Sequence, residues 1–591
     1  MSGILITLLL CLPVFGALIV WGTGDTRPKA QHTLATIFSI LTAIASFVLL
    51  FFTSSQPTVL LQSGPAFGDL IFASDGLAVS LSVIASVLGS LTVLFSVDYM
   101  HGEAQLGRYY FMMLVFIGAM NGLVLSGNLL FTFFFWEITA LCSYGLISFY
   151  NDDPKAVAGG IKALIITQVS GVGLLAGTLI AFANLHSYQI VDVLAKANTL
   201  PASALGGIAF CFLIAAAGKS AQFPFHTWLP DAMEAPTPVS ALIHAATMVN
   251  AGVYLLARFY PAFAAVPGWT MAVTLVGMLS ALMAALMALT TTDLKRTLAY
   301  STVSQLGYMV YAVGVGAVFA SQFHLLSHAV FKALLFLAAG AVIHSAGTRD
   351  MLKMGGLGVR MPFIRNVFIV GALALAGLPI LNGFWSKELV LEAGLNHGPL
   401  WGYGLMLFGV GVTAFYTIRM TWLVFFGRER EHLHVHETGL FMRMVTGLIA
   451  LGTLTTWLLA GPFSVLLSRS LPFHRLEVLP TLTMIEQVLM APATWFALIV
   501  ILGGVGIWIV TQRRSMEQQS IEFHDALSTK SSFSALFETN FGFDWLNQQV
   551  IDWVRSIAMF LQKTQTGQLN WNILGIAGAL LIVLALLWSY Q

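Results

Sequence analysis

Eight ionisable residues lie in or beside long apolar stretches of this sequence, where charged side chains are otherwise rare. They are Glu137, Lys219, His244, His324, His328, Lys332, Lys387 and Glu388. A charged group inside an apolar helix is costly unless it is neutralised, paired or hydrated, so such residues are usually functional. Side chains that can be charged or neutral there can pass protons on. The set predicts a path for protons, or for sodium ions, through the protein interior.

Glu137 and two of the three lysines lie deepest in apolar sequence. Glu137 is the only charged residue in LLFTFFFWEITALCSYGLI, Lys219 follows AFCFLIAAAG, and Lys332 lies within FHLLSHAVFKALLFLAAG. Burial destabilises an ammonium group relative to the free amine, which lets a lysine exchange protons near neutral pH. The alternative for Glu137 is a protonated carboxyl that makes one hydrogen bond between helices.

The histidines favour a relay over a metal site. His328 and Lys332 are four residues apart and share one face of a helix, whereas each histidine taken alone is typical of a hydrogen-bonded packing residue. His324 and His328 have the spacing of a zinc-binding helix, but no glutamate stands between them and no third ligand is evident. The sequence also has no GxGxxG or P-loop motif and three widely separated cysteines. We therefore expect neither a metal nor a cofactor.

Composition places the chain in a membrane. Of its 591 residues, 58% are hydrophobic and 9% are charged, and the mean hydropathy is +0.84. So few charges cannot cover the surface of a soluble protein of this size. The net charge of +1 excludes a basic surface that binds nucleic acid. The expected solvent is the lipid bilayer.

The predicted fold is all-α and polytopic, because roughly 20 apolar residues cross a bilayer as a helix. Runs of that length predict about sixteen transmembrane helices. They centre on residues 3–22, 32–52, 76–98, 108–126, 128–150, 158–184, 205–222, 237–260, 268–290, 296–318, 322–345, 363–386, 399–426, 442–466, 491–511 and 571–590.

Two of the predicted spans are interrupted. Residues 218–249 contain four prolines, and residues 378–390 contain LPILNGFWSKELV, in which Lys387 and Glu388 lie. A broken helix is tolerated at membrane depth only where protein or water satisfies the freed backbone groups, so each break should line a polar interior. For Lys387 and Glu388, the alternative is a simple membrane boundary. Two such breaks in corresponding places indicate two inverted repeats of five helices.

The chain divides into six predicted regions. Residues 512–566 have apolar residues at helical spacing between charges, which indicates an amphipathic helix along the membrane surface. That helix either contacts lipid headgroups alone or lies as a strap against neighbouring subunits. The regions are N-terminal helices (1–107), a first repeat (108–262), a second repeat (263–427), C-terminal helices (428–515), a lateral amphipathic helix (516–566) and an anchor helix (567–591).

The sequence from about residue 60 to 430 resembles the antiporter-like subunits shared by respiratory complex I, Mrp cation/proton antiporters and membrane-bound hydrogenases. The resemblance rests on GKSAQFPFHTWLPDAMEAPTPVSALIHAATMVNAGVYLLAR, TTDLKRTLAYSTVSQLGYM, FHLLSHAVFKALLFLAAGAVIH and GFWSKE. The length, the two N-terminal spans and the amphipathic helix with its anchor resemble the L-type subunit of complex I. Against that L-type pattern, Gln168 and Gly171 stand where an arginine and an aspartate are usual, and this stretch is more similar to the A-type subunit of Mrp antiporters.

The resemblance implies roles for the same eight residues. It implies an ion pair of Glu137 with Lys219 on the input side and an exit at Lys387 with Glu388. Between them it implies a central relay, formed by His244, His324, His328 and Lys332. It also implies partner subunits in the membrane, with further antiporter-like subunits included, and a bacterial inner membrane as the location.

Three functions remain open from the sequence. The first is a proton-translocating subunit, itself without redox chemistry, of an NADH:quinone oxidoreductase-type pump. The second is a subunit of a secondary system, either an Mrp-type antiporter or the membrane partner of an inorganic-carbon uptake protein. The third is a membrane scaffold, which would not need several buried ionisable residues.

Overall fold

The computed structural model describes residues 1–62, 64, 67–429, 436, 438–517 and 540–564. Helices dominate this part of the chain, and thirteen helical stretches in it are long and apolar enough to cross a bilayer. Two further predicted spans correspond to a long, less apolar helix at residues 294–314 and to two helices broken at residues 377–381. The predicted anchor at 571–590 lies outside the described residues. The prediction of a polytopic helical membrane protein is confirmed, and the count of about sixteen stays a prediction.

Three helices and a hairpin form the N-terminal region. Pro28 begins the second helix, where its missing N–H costs nothing, and the Asp75 carboxylate caps the third by accepting from Ala78 N. The hairpin, which the all-α prediction did not include, is antiparallel and pairs Val59 with Ile71. The elements are α1 (Ser2–Gly22), α2 (Pro28–Leu49), a 3₁₀ turn (Leu50–Phe52), β1 (Thr58–Leu61), β2 (Leu70–Phe72) and α3 (Gly76–Tyr99).

The region predicted as the first repeat contains the first break. The break begins after Lys219, and a second irregularity precedes Asn250, where one continuous span was expected. The elements are α4 (Leu106–Leu125), α5 (Leu129–Ile147), α6 (Pro154–Leu185), α7 (Ile190–Lys196), a 3₁₀ turn (Ala197–Thr199), α8 (Ala202–Lys219), α9 (Trp228–Asp231), a 3₁₀ turn (Ala232–Glu234), α10 (Thr237–Ala241), a π-helical turn (Leu242–Ala246) and α11 (Asn250–Phe263).

The region predicted as the second repeat has the same order of long helices, broken helix and final helix. Whether the two regions are inverted copies stays a prediction. The elements are α12 (Trp269–Thr290), α13 (Leu294–Gly314), α14 (Val318–Ala346), α15 (Leu357–Arg360), α16 (Pro362–Ala376), α17 (Asn382–His397), α18 (Leu400–Thr421) and a π-helical turn (Trp422–Phe426).

The C-terminal part adds four helices and a fifth in the latter part of the predicted lateral region (516–566), of which residues 518–539 lie outside the described residues. The predicted span at 442–466 is interrupted by a 3₁₀ segment, and the helix at Thr481–Met490 was not predicted. The elements are α19 (Leu440–Thr455), a 3₁₀ segment (Thr456–Leu459), α20 (Ala460–Ser470), α21 (Thr481–Met490), α22 (Pro492–Glu517), a 3₁₀ turn (Asn540–Gly542) and α23 (Phe543–Thr564).

The centre of the molecule is formed by α13 and α14. Nearly every residue of these two helices is buried, polar residues included. They pack on each other, and α14 also contacts α10, α11, α16, α17 and α19. This arrangement surrounds His324, His328 and Lys332 with protein on all sides.

Candidate functional site

Lys219 and Glu137 are neighbours, but the lysine bonds to the backbone. Lys219 is the last residue of α8 and is fully buried. Its Nζ donates to the carbonyl of Trp136 at 2.7 Å and lies 5.0 Å from the centre of the Trp136 ring. Among the described residues, no ion pair within 4.0 Å joins Lys219 to Glu137. The pair implied by the resemblance stays a prediction.

The carboxylate of Glu137 lies against a glycine of α6. Both carboxylate oxygens lack a hydrogen-bond partner within the described residues, and Gln168 lies beside them. A Cβ atom on Gly171 would stand 2.6 Å from Glu137 Oε1. Gly171, which departs from the L-type pattern, therefore leaves the space that the Glu137 carboxylate occupies.

The first break is enclosed by protein, as its prolines predicted. The carbonyl of Gly218 accepts from Trp228 Nε1 at 3.0 Å. Gln222 Nε2 donates to the carbonyl of Ser220 at 2.9 Å, and the amide of Phe223 donates to Ser280 Oγ at 2.9 Å. These bonds satisfy backbone groups that a continuous helix would have paired.

His244 lies in the π-helical turn between α10 and α11 and is fully buried. Its ring stands 5.5 Å from the ring of Phe336, and neither ring nitrogen has a hydrogen-bond partner within the described residues. Lys295 and Lys332 are its charged neighbours. His244 and Lys332 thus both lie near the ring of Phe336.

The other residues of the predicted relay lie on one face of α14. Lys332 Nζ donates to the carbonyl of Leu298 at 3.1 Å and to the hydroxyl of Ser301, both on α13. His324 bridges two helices, with Nδ1 3.0 Å from Ser386 Oγ and Nε2 3.1 Å from Gln305 Oε1.

His328 stands between His324 and Lys332 on the same helix. Its ring centre is 6.5 Å from that of His324. Both of its ring nitrogens lack a hydrogen-bond partner within the described residues.

The position expected for Lys387 and Glu388 was wrong in one respect. They do not occupy the second break, which covers residues 377–381, but lie in the second turn of α17. Both are buried in the protein interior. Lys387 Nζ donates at 2.8 Å to the carbonyl of Leu375, which the break leaves free, whereas both oxygens of Glu388 have no partner in the described part of the chain.

Two buried charged features were missed from the sequence. Lys295 is 4% exposed, and its Nζ donates to the carbonyl of Ala235 at 2.5 Å. It follows Asp293 and precedes Arg296, so the local sequence is typical of a loop at the membrane boundary. The one sequence feature that could have identified Lys295 is its position within the TTDLKRTLAY motif.

The second missed feature is an ion pair between Asp75 and Arg258, 2.5 Å apart and both buried. Arg258 also donates to the hydroxyl of Tyr254. The two partners stand at the start of α3 and within α11, and nothing in the sequence pairs them.

An ion-pair network connects the first break to α23. Lys162 binds Asp231 at 2.7 Å and Asp544 at 3.0 Å. Asp231 also pairs with Arg296 at 3.1 Å.

A second group of charges lies nearby, around Arg349. Arg349 binds both oxygens of Glu234 and also pairs with Asp293 at 2.7 Å. Burial opposes the charged form of Arg349, but the carboxylates outweigh it and raise its pKa. These pairs fix the 3₁₀ turn that follows α9 to the ends of α13 and α14.

Several buried polar atoms in the described chain have no protein hydrogen-bond partner, and many lie along the candidate path. Those on the path are in Glu137, Gln222, His244, Asn250, Gln305, His328, Asn382 and Glu388. Buried polar groups in native proteins are almost always paired with protein or water. In the part of the chain that the structure describes, no three His, Cys, Asp or Glu side chains are grouped as a metal site would require.

Residues 126–413 match the family described as the transmembrane part of NADH:quinone oxidoreductase and Mrp antiporter subunits. The A1 subunit of a Na⁺/H⁺ antiporter from Staphylococcus aureus, in strains JH9 and Newman, is 40% identical over 427 residues. That alignment covers 67% of this chain and 53% of the relative, so the chain spans about half the length of the curated relatives it matches.

Two solved structures are similar. The Mrp complex from Dietzia sp. DQ12-45-1b contains a chain with a TM-score of 0.79 and 27% identity, covering 99% of this chain and 63% of that chain. A membrane-bound sulfane sulfur reductase, described as an archaeal respiratory membrane complex, gives a TM-score of 0.72 at 24% identity, covering 82% of this chain and 99% of that chain. The latter likeness shows the fold alone.

Proposed function

Since this chain belongs to the superfamily of antiporter-like membrane subunits, we propose that it carries protons through the membrane as one subunit of a multi-subunit ion-translocating complex. It is an integral membrane protein, and its bacterial relatives are consistent with a plasma-membrane location. The proposed path runs from Glu137 and Lys219 through His244, Lys332 and His328 to Lys387 and Glu388. His324 supports the central step.

The observation that supports this proposal most directly is the burial of His244, His328 and Glu388 without hydrogen-bond partners among the described residues, each beside a buried lysine. A scaffold gains nothing from such groups, which cost stability in the bilayer. A chain of titrating groups with water between them is the arrangement that transfers protons.

The names of the relatives favour a secondary antiporter over a redox-driven pump. The relatives at 40% identity are named as Na⁺/H⁺ antiporter subunits, and the stretch around Gln168 and Gly171 points the same way. We therefore propose exchange of protons for a monovalent cation, with Na⁺ as the first candidate. A redox-driven pump of the complex I type is the second candidate, because the matched family includes those subunits.

The test uses membrane vesicles from cells that express the chain with its partner subunits, in a host without its own Na⁺/H⁺ antiporters. A pH-sensitive dye reports a proton gradient set up by the host respiratory chain. Addition of NaCl, but not of choline chloride, should collapse that gradient for an antiporter. Proton uptake that requires an added electron donor and no Na⁺ would favour the redox-driven pump. Absence of both activities, in vesicles that contain the assembled complex, would contradict the proposal.

A further inference from the structure

The helix that carries His244 has an unusual turn. After α10, residues Leu242–Ala246 form a π-helical turn, and the regular helix resumes only at Asn250. Thr247 has φ −133° and ψ −104°, which is outside the helical region. A widened turn inside a helix is rare and is frequent at functional sites.

Three buried side chains donate hydrogen bonds to carbonyls in this turn or just after it. Thr247 Oγ1 donates to the carbonyl of Leu242 at 2.6 Å, and Asn250 Nδ2 donates to the carbonyl of Ala245 at 2.9 Å. In both cases the acceptor lies five residues earlier, where a regular helix makes no bond. Loss of either donor would remove a buried hydrogen bond from the turn, which is costly.

The third side chain connects the turn to the first break. Ser220, the residue after Lys219, donates from Oγ to the carbonyl of Val249 at 2.6 Å. The helices meet closely here, because a Cβ atom on Gly252 would collide with Ser220 and Ala216. The backbone around Lys219 and the backbone around His244 are thus joined by one buried hydrogen bond.

We propose that Thr247, Asn250 and Ser220 are positioning residues that hold the widened turn around His244 and fix it relative to Lys219. This inference rests on the proposed function, in which His244 receives a proton between Lys219 and Lys332. Successive residues of an α-helix are rotated by about 100° about its axis. If the π-helical turn tightened to a regular α-helical turn, which holds one residue fewer, His244 would therefore rotate by roughly that angle relative to α11. The imidazole would then no longer face its partners in the relay.

Thr247→Val tests the proposal, because valine keeps the shape of threonine and removes the hydroxyl. Transport in vesicles should fall by on the order of tenfold to a hundredfold, the size of a small misplacement of a reacting group. The pH at half-maximal transport should also shift, since His244 would meet different neighbours. Thr247→Ser should restore both the rate and the pH profile.

A matched control is Thr453→Val. Thr453 is also buried, and its hydroxyl bonds the carbonyl of Ile449 four residues earlier in the regular helix α19. This variant should keep the normal rate and pH profile. Ser220→Ala, which adds no volume, provides a second variant if Thr247→Val fails to accumulate. It should shift the pH profile in the same direction.

His244→Gln separates this inference from the proposed function. If His244→Gln transports normally, the proposed path through His244 is wrong. If His244→Gln stops transport while Thr247→Val and Ser220→Ala keep the normal rate and pH profile, the path stands and the positioning role is overturned. A lower rate with an unchanged pH profile in these two variants would also overturn it, because it would indicate a general packing defect.

Discussion

Lys219 is held beside Glu137 by a hydrogen bond from its ammonium group to the backbone carbonyl of Trp136. Trp136 immediately precedes Glu137 on α5, so the lysine stays next to the carboxylate without being bonded to it. An ion pair in a membrane interior would hold both charges in place. In the proposed path, a lysine anchored by the backbone instead leaves the Glu137 carboxylate free to take up and release a proton.

Gly171 should be required for this arrangement. In Gly171→Ala the new methyl group would displace the Glu137 carboxylate, because the space between Cβ and Oε1 is only 2.6 Å. We expect transport to fall while the complex still assembles. Vesicle transport and co-purification of partner subunits measure the two effects.

Gly404→Ala provides the control for Gly171→Ala. Gly404 also lies in a helix, and a Cβ atom there would have nothing within 4 Å. This variant should transport normally and be slightly more stable, because alanine favours helix over glycine by about 1 kcal/mol. Equal transport in the two variants would show that the space between Gly171 and the Glu137 carboxylate is not needed for transport.

Lys332 should be required as an exchangeable group and not only as a charge. Lys332→Met keeps length and packing, so folding should survive, whereas transport through the relay should stop. Lys332→Arg should also fail, because a guanidinium group does not release its proton at accessible pH. The pH-sensitive dye assay measures both. Normal transport by Lys332→Arg, with none by Lys332→Met, would make the lysine a fixed charge.

The sequence predicted residues that stand alone in apolar stretches, and also Lys387 and Glu388 near a proline-containing break, but it did not predict Lys295. Glu137 and Lys332 were evident because no other charge lies near them. Lys295 was missed because Asp293 and Arg296 give its surroundings the composition of a loop, although tertiary packing buries it. The widened turn at His244 was missed for a different reason, since no proline or glycine lies within it and Ser220, one of the residues proposed to hold it, lies far from it in sequence.

The Asp75–Arg258 pair should stabilise the fold without taking part in transport. Arg258→Met leaves the buried Asp75 carboxylate unpaired, which should lower the free energy of unfolding by about 3–5 kcal/mol. The double variant Asp75→Asn with Arg258→Met should recover most of this loss, because asparagine is neutral and still caps α3. Thermal unfolding in detergent measures the difference.

Arg475→Met is the control for that prediction, since Arg475 is exposed. Its effect on the free energy of unfolding should stay within about 0.5 kcal/mol. If the double variant is as unstable as Arg258→Met alone, the destabilisation comes from lost packing and not from the unpaired carboxylate.

The first turns of α23 should dock on the first break through a small set of contacts. Asp544 binds Lys162, which also holds Asp231, and the buried Asn547 donates to Thr227 Oγ1 at 2.8 Å. The ring of Phe543 packs edge-on against Phe223, with ring centres 4.9 Å apart. The segment after Lys219 and the first turns of α23 are therefore packed directly against each other.

The double variant Asp544→Asn with Asn547→Ala should release α23 from the break. The ion pair is partly exposed and contributes at most about 1 kcal/mol, whereas the buried Asn547 bond should contribute about as much again. We expect faster hydrogen exchange of the backbone amides in residues 543–551 in the intact complex. In the unaltered protein, raising the salt concentration should have a smaller effect in the same direction, because salt screens the Lys162–Asp544 pair.

Gln548→Ala is the matched control, because Gln548 lies on the same helix and bonds only the exposed Asp552 among the described residues. Its exchange rates should equal those of the unaltered protein. Unchanged exchange in the double variant would mean that aromatic packing, and not these polar contacts, docks the helix. Phe543→Ala would then be expected to release it, since removal of that ring eliminates the contacts with both Phe223 and His226.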